Sequence, residues 1–345
     1  MKKRNRPIII WLYSGCALVF LMVIIGGITR LTGSGLSITE WKVVTGTLPP
    51  MNEAQWASEF SKYQASPQFQ KVNSHFQLHD FKTIYWWEYI HRLVARLMGV
   101  VFMIPLLWFL YKRKIQADLI PKLFIIILLG AWQGFLGWYM VKSGLVNNPH
   151  VSHLRLAMHL VNAFITFGYI FWVALDLQYY KDTLTSKRPK TKATEVTIGL
   201  LIIVLFQIIY GAFVAGLKAG YVYNTWPLMD GQIVADSVFK AFNYDGIFSL
   251  VNNLATVQFI HRTLALIIFF GIVWFWFNRH HESFSLKAEQ KQGVISCMLI
   301  VLLQVVLGIC TLIFHMPMAL AIIHQATAFL LFGSFIFLWH RLRFA

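Results

Sequence analysis

Eight long apolar runs constrain this chain more than any other feature of its sequence. Each is about 20 residues or longer, and a helix of that length crosses the roughly 30 Å hydrocarbon core of a bilayer. Only 13% of the residues are charged, about half of what a soluble protein carries. The sequence therefore predicts an all-α polytopic membrane protein embedded in the lipid bilayer, with transmembrane helices at 8–27, 84–111, 119–141, 151–175, 196–216, 254–277, 293–314 and 318–339.

The basic residues predict how these helices are oriented. Of the 30 Lys and Arg, 18 fall in the segments 1–7, 112–122, 177–193, 278–291 and 340–345. Only 8 fall in the longer segments 28–83, 142–151, 217–253 and 315–317. Because basic loops stay in the cytoplasm, both termini are expected there. The net charge of +16 is then explained by membrane topology, and no nucleic-acid partner is needed to account for it. The short segment before the first apolar run favours a bacterial inner (cell) membrane.

The two halves of the chain resemble each other. Gly26, Gly35 and Trp41 recur at a constant offset as Gly211, Gly220 and Trp226, and the segment 88–92 recurs as 258–262. Four helices per repeat keep the same orientation, so the halves form a parallel repeat. We expect two pseudo-symmetric four-helix bundles, residues 1–177 with a long outer loop at 28–83 and residues 194–345, joined by a cytoplasmic linker at 178–193.

The outer loop 28–83 is too long to be a bare connection. Its segment 52–64 places Trp56, Phe60 and Tyr63 at helical spacing, which predicts an interfacial helix. Together with the loop 217–253 it would cap the outer ends of the bundles, although both loops could also be simple connectors with aromatic belt residues. The three cysteines lie within apolar runs, so cysteine chemistry is not expected: Cys16, Cys297 and Cys310.

Four histidines lie inside the apolar runs, one in each even-numbered predicted helix: His91, His159, His261 and His324. Counted from the predicted helix starts, each lies about seven residues deep, or roughly 10 Å from the outer face. The repeat pairs His91 with His159 and His261 with His324, and two imidazoles facing each other across a bundle form a bis-histidine haem site. A single intramembrane histidine could serve only as a hydrogen-bonding group between helices. Zinc or non-haem iron would require carboxylate or thiolate ligands as well.

One acidic residue accompanies these histidines. Glu88 is three residues before His91 on the same helix face, whereas the second half has Gln258 at the matching position. A haem site that only transfers electrons does not need a general acid or base, but one that transforms its ligand does. The first bundle is therefore expected to hold substrate and the second a permanent haem. The alternative is a simple ion pair within the helix between Glu88 and Arg92.

Four arginines within the predicted helices could bind haem propionates, because guanidinium suits paired carboxylate contacts. An equally good interpretation is that they extend to the outer interface as residues near helix ends do. They are Arg92, Arg96, Arg155 and Arg262.

Taken together, these motifs resemble the haem A synthases. The resemblance rests on Gly26–Ser37 with Trp41 and Pro49-Pro50, on Glu88-x-x-His91-Arg92, on Gln133 with Gly137, on the segment 151–159, and on Gln258-x-x-His261-Arg262 with His324. It implies an enzyme that oxidises a methyl group of haem O, through a hydroxymethyl intermediate, to the formyl group of haem A for terminal oxidases. It also implies haem b as cofactor between His261 and His324, substrate haem at His91 and His159, and a catalytic carboxylate at Glu88. The chain resembles the cysteine-free type of this family.

The same resemblance implies a haem O synthase and an electron-donor protein as partners, and leaves the oligomeric state open. Two other classes of protein are alternatives to it. A di-haem b-type cytochrome would pass electrons from a quinol to a partner without modifying haem, and the difference between Glu88 and Gln258 argues against it. A transporter would need a polar path through the membrane, yet the intramembrane charges cluster near the predicted outer face.

Overall fold

The computed structural model describes residues 2–41, 45–146, 149–179, 191–284 and 286–344. Within these ranges the secondary structure is helical, and the only β-type pairing is one isolated bridge between Met229 and Gln232. Eight of the helices in this part of the chain are long and apolar enough to cross a membrane. The predicted class, an all-α polytopic membrane protein, is confirmed.

The described residues form twelve α-helices. The eight candidate spans are α1, α4–α7 and α10–α12, and the shorter helices lie in the connections between them. Their bounds are α1 Lys2–Leu31, α2 Glu53–Gln64, α3 Pro67–Lys71, α4 Leu78–Tyr111, α5 Ile120–Lys142, α6 His153–Gln178, α7 Lys192–Leu217, α8 Asp236–Asp245, α9 Ser249–Asn252, α10 Leu254–Asn278, α11 Ala288–Ile313 and α12 Met318–Phe344.

Helix α4 begins at Leu78, ahead of the apolar run that predicted it. The Asp80 carboxylate accepts a hydrogen bond from the Gln77 backbone N–H at 3.0 Å, which satisfies a free donor at the helix start. His91 is consequently the fourteenth residue of its helix, whereas the other three histidines are the seventh or eighth of theirs. A common depth counted from helix starts therefore does not hold for His91, and the depth of the histidines in the membrane stays a prediction.

The contacts divide the chain into two compact units. The N-terminal unit comprises residues 17–163, and the C-terminal unit comprises residues 1–16 together with 164–345. The pseudo-symmetric bundles predicted at 1–177 and 194–345 remain a prediction. Most of the predicted linker at 178–193 lies outside the described residues.

The C-terminal unit contains a four-helix bundle in which α7, α10, α11 and α12 each pack against the next, and α12 closes against α7. Fully buried side chains such as Phe275 and Phe335 fill its core. Glycine allows close helix contacts, since a Cβ on Gly293 would lie 3.0 Å from Leu338 Cδ1. Small residues have this role in membrane bundles because they let the helix backbones approach.

The N-terminal unit pairs α1 with α4 and α5 with α6. The Thr29 hydroxyl lies 3.4 Å from the Trp87 carbonyl oxygen, and the Asn162 amide donates to the Leu129 carbonyl oxygen at 3.3 Å. Such polar contacts between helices stabilise a membrane protein because no water competes for them. Both contacts lie close to residues of the predicted sites.

The connection between α1 and α4 folds onto α4 through an aromatic cluster. Helix α2 forms where the sequence predicts it, but Trp56 and Tyr63 are buried against Phe81 and Tyr85 of α4. The Tyr63 hydroxyl bonds to Gln68 and Asn73, and burial raises the pKa of this phenol, so it stays neutral. This cluster of the predicted outer loop, called the outer-loop cluster, fixes the connection beside the Glu88 segment and comprises Trp56, Tyr63, Phe81, Tyr85 and Tyr89.

Candidate functional site

Each of the four histidines lies against a glycine. A Cβ built on these glycines would lie 3.0–3.4 Å from the nearest imidazole atom, closer than ordinary contact, so glycine gives the rings their room. The pairs are Gly26 with His91, Gly137 with His159, Gly211 with His261 and Gly308 with His324. A glycine therefore lies against each of the four predicted ligands.

The structure brings the histidines together in the predicted pairs. His91 and His159 both belong to the N-terminal unit, and His261 and His324 both belong to the C-terminal unit. Within each pair the rings are close enough to interact electrostatically. All four residues are partly buried.

Glutamine side chains contact three of the four imidazoles, and the sequence interpretation gave these contacts no role. The distance between the glutamine Nε2 and the histidine Nε2 is 3.3 Å for Gln133 and His159, 3.3 Å for Gln207 and His261, and 3.4 Å for Gln304 and His324. The Gln133 amide also donates to the His159 carbonyl oxygen at 3.1 Å. The imidazole of His91 makes no side-chain hydrogen bond within the described part of the chain.

Glu88 is buried and bound by donors from the α1–α4 connection. Its Oε2 atom accepts from the Ser37 N–H at 2.7 Å, the Ser37 hydroxyl at 2.7 Å and the Ile38 N–H at 2.9 Å. Its Oε1 atom accepts from Arg92 Nη2 at 2.6 Å, so the ion pair weighed as an alternative is present. All these donors need acceptor lone pairs, which an ionised carboxylate supplies.

Gln258 has the same place on α10, but its surroundings have the opposite polarity. Its Nε2 donates to the carbonyl oxygens of Ala219 at 3.0 Å and Tyr223 at 3.3 Å. Its Oε1 accepts from Arg262 Nη2 at 3.1 Å. The connection therefore presents backbone N–H groups to Glu88 in the first half and backbone carbonyls to Gln258 in the second.

Two of the predicted propionate-binding arginines bind backbone carbonyls of these connections. Arg92 donates to Ile38 at 3.0 Å and to Glu40 at 3.1 Å. Arg262 donates to Tyr223 at 2.7 Å and to Thr225 at 2.9 Å. Each arginine thereby holds its connection against the helix that carries the first histidine of the pair.

The other two arginines, Arg96 and Arg155, lie between the two histidines of the first pair in sequence. Arg155, at the start of α6, donates to the Tyr139 carbonyl oxygen at 2.8 Å, and its guanidinium carbon lies 3.8 Å from the Tyr139 ring centroid. Arg96 lies on α4, one helical turn beyond Arg92, and is partly buried. A role for any of the four arginines in binding propionates stays a prediction.

Comparison with known proteins shows the family to which the chain belongs. The family model of cytochrome oxidase assembly proteins, COX15-CtaA, matches residues 9–336. The heme A synthase of Flavobacterium johnsoniae is 46% identical over 349 residues, covering 99% of this chain and 99% of its own. That of Nitrosospira multiformis is 44% identical over 339 residues, covering 98% of this chain and 94% of its own. The chain belongs to the haem A synthase family.

The residues present fit the haem that the name of the haem A synthase family indicates. Within the described ranges, no group of three or more His, Cys, Asp or Glu is placed to hold a metal ion. A haem needs only axial ligands from the protein, because the porphyrin supplies the other four nitrogens. Moreover, the Nδ1 atoms of His159, His261 and His324 are buried without a hydrogen bond. Such atoms are rare in native proteins, and a ligand that completes the site accounts for them.

Sequence reasoning missed two groups of residues in this member of the haem A synthase family. Ser37 is remote in sequence from Glu88, and nothing in its neighbourhood marks it as a carboxylate-binding residue. The glutamines could have been found, since Gln133 and Gln304 match through the internal repeat and each lies four residues before a site glycine. In a bundle that spacing places both side chains on one helix face.

Proposed function

We propose that the chain, as a haem A synthase, holds haem O between His91 and His159 in the N-terminal unit and haem b between His261 and His324 in the C-terminal unit. The enzyme oxidises a methyl group of haem O through a hydroxymethyl stage to a formyl group. When bound, haem b supplies one-electron redox chemistry, which lets the second site relay electrons. The glycine beside each imidazole and the pairing of the rings support this assignment.

The observation that carries the assignment is the difference between Glu88 and Gln258. The two sites share histidines, glycines and a loop-binding arginine, yet within the described residues only the first has a carboxyl group bonded to that arginine, and this carboxyl group is buried. A site for electron transfer alone needs no proton acceptor, whereas oxidation of a methyl group releases protons. This supports the N-terminal unit as the site of chemistry.

Glu88 is proposed to accept a proton as the substrate methyl group is oxidised. Its carboxylate is oriented by Ser37 and Ile38 on one oxygen and by Arg92 on the other. These contacts fix it on the face of α4 that carries His91. The protein therefore contributes ligands, orientation and a positioned base.

The location of the reaction follows from the predicted topology. We place both haem sites toward the extracytoplasmic face of the bacterial inner membrane, because the basic segments are assigned to the cytoplasm. Haem O arrives from a haem O synthase, and an electron-transfer protein completes the redox balance. Association with these proteins, and oligomerisation, are part of the same proposal.

Replacing the proposed base tests the function directly. In membranes supplied with haem O, Glu88→Gln lowers haem A formation by about 100-fold or more, within the range for loss of general acid–base catalysis. Both haems stay bound, since the ligands are unchanged. The measurement is extraction of pigments from purified protein, with each haem identified by mass and reduced spectrum.

The matched control is Glu59→Gln, because Glu59 is a carboxylate on α2 that pairs with Lys62 and makes no contact with Glu88. Undiminished haem A formation in Glu88→Gln would contradict the acid–base role. Finding haem b alone in unmodified protein supplied with haem O would favour the di-haem cytochrome instead.

A further inference from the structure

A basic cavity lies where α10 and α11 are joined. Helix α10 ends at Asn278 and α11 begins at Ala288, and the connection between them borders an open cavity of about 500 Å³. That volume is within the range of small-molecule binding sites. The titratable residues that line it are Arg279, His280, His281, Glu282, Lys287 and Lys291. Three of these side chains are positive at neutral pH and one is a carboxylate, so the cavity favours an anion.

The walls of this cavity are held by an aromatic anchor. Phe284, in the same connection, is only 2% exposed. Its ring centroid lies 5.3 Å from that of Phe275 and 5.9 Å from that of Trp274, both on α10. Lys192 Nζ, at the start of α7, lies 5.7 Å from the same ring centroid. Because a buried aromatic ring contributes a large packing energy, the packing of the bundle determines the shape of the connection.

The charges of the lining residues act on one another. The pKa of His280 is lowered by desolvation and by the positive charges of Lys291 and Arg279. His281 Nδ1 accepts a hydrogen bond from the Ser283 backbone N–H at 3.2 Å, so the neutral ring carries its proton on Nε2 and can donate it. A bound anion offsets the repulsion between the cations and accepts hydrogen bonds from such donors.

Membrane topology alone does not explain this arrangement. The positive-inside rule accounts for the number of basic residues in a cytoplasmic connection, but not for their convergence on one cavity. The predicted repeat matches this connection to the one between α4 and α5. There, Lys112 Nζ lies 4.9 Å from the Trp108 ring centroid and 5.2 Å from that of Tyr111. In the second half, the start of α11 adds the partial positive charge of a helix N-terminus.

We propose that this cavity binds a phosphate anion, carried by the headgroup of an anionic phospholipid or supplied as free phosphate. The cavity lies directly beyond the ends of two candidate membrane spans, the level at which lipid headgroups lie. Basic cavities between membrane helices bind anionic headgroups on the cytoplasmic side, and this connection is predicted to be cytoplasmic. Both sources present the same phosphate chemistry, so the experiment has an arm for each.

Lipid retention by the full-length protein tests the site. The protein in detergent is mixed with phosphatidylglycerol, and native mass spectrometry measures the fraction of protein that retains this lipid. We expect Lys291→Gln to lower that fraction by about 5-fold, the contribution of one cation near a lipid headgroup. Adding Lys287→Gln lowers it by about 25-fold in total. Lys291→Arg keeps the charge and should retain the lipid as unmodified protein does.

The matched control is Lys114→Gln, which removes one positive charge from the exposed connection between α4 and α5. It should leave retention of phosphatidylglycerol unchanged, because Lys114 does not line the cavity. Phosphatidylcholine is the lipid control. Its choline group cancels the charge of its phosphate, so we expect its retention to be the same in all the variants.

Inorganic phosphate, used alone as a radiolabelled probe, separates the two sources. Binding to unmodified protein that is lost in Lys291→Gln would support the site with free phosphate as a sufficient ligand. Dependence on Lys291 for phosphatidylglycerol alone would assign the site to the lipid headgroup. The proposal is overturned if unmodified protein and the double variant retain the lipid equally and neither binds phosphate. It is also overturned if Lys114→Gln loses as much lipid as Lys291→Gln, since total charge would then explain both losses.

Discussion

At the scale of single residues, Glu88 and Gln258 each lie among backbone groups of the hydrogen-bonding polarity that their side chain needs. Ser37 and Ile38 offer donors to the carboxylate, while Ala219 and Tyr223 offer acceptors to the amide. A buried acceptor that faces other acceptors, or a buried donor that faces other donors, loses its hydrogen bonds and remains desolvated. Exchanging the two residues is therefore not neutral in either direction.

The second site gives the clearest test of this matching. Gln258→Glu places a carboxylate against the carbonyls of Ala219 and Tyr223 and destabilises the C-terminal bundle by roughly 3 kcal/mol, the upper range for a buried unsatisfied group. Thermal unfolding in detergent, followed by the loss of the haem b spectrum, measures the effect. Gln258→Leu removes the same hydrogen bonds without adding charge and should cost less. An unfolding temperature for Gln258→Glu equal to that of Gln258→Leu would refute the polarity argument.

A single methyl group should also disturb haem binding. Gly308→Ala places a Cβ 3.0 Å from His324 Cε1 and must displace the ring. We expect a shifted reduced spectrum and weaker retention of haem b, while the bundle loses no stability, because alanine favours helix over glycine by about 1 kcal/mol. Gly199→Ala is the control in the same bundle, since no atom lies within 4 Å of its added Cβ. Unchanged spectra in both variants would show that the His324 ring can accommodate the added methyl group without moving.

At the scale of helices, the sequence predicted the spans well and the connections less well. Apolar runs determine the spans, because exposure to lipid selects apolar residues along a whole helix. The early start of α4 was missed since Leu78–Thr83 contains polar residues and Phe81 is buried by Trp56 and Tyr63, which are remote in sequence. The same long-range packing explains why the aromatic residues of α2 face α4.

The outer-loop cluster can be tested at this scale. Trp56→Ala removes a side chain that packs edge-on against Tyr85 and Phe81 and costs roughly 3 kcal/mol or more. The connection between α1 and α4 should then open, exposing it to limited proteolysis and lowering haem A formation through loss of the Glu88 contacts. Leu48→Ala is the control, because Leu48 is 74% exposed. Equal protease resistance in both variants would argue against a folded connection.

At the scale of the whole molecule, matching contacts recur in the two units. Glycine and glutamine accompany histidine in both, and an arginine binds the preceding connection in both. These likenesses support the predicted parallel repeat, which the sequence suggested from offsets alone. The sequence predicts the histidines and Glu88 as site residues, because ionisable residues stand out in apolar helices. It missed the residues that hold them, since hydrogen bonds across helices leave no periodic signal.

The predicted topology has its own test. Reporter fusions to the C-terminus and to the segments 112–122 and 278–291 should report a cytoplasmic location, while a fusion within 217–253 should report the opposite side. A fluorescent protein that matures only in the cytoplasm, paired with an alkaline phosphatase active only outside it, provides the measurement. A C-terminus active as phosphatase would reverse the orientation and move both histidine pairs to the cytoplasmic side.

The opposite polarity of the two connections also bears on which single mutations each half can accept. Glutamate and glutamine codons differ at a single nucleotide, so mutation interconverts them readily. Yet a reversal at residue 88 would lose the pair with Arg92, and one at residue 258 would set a carboxylate against two carbonyls. Each connection therefore favours the residue that it already holds, and we expect either single exchange to lose hydrogen bonds.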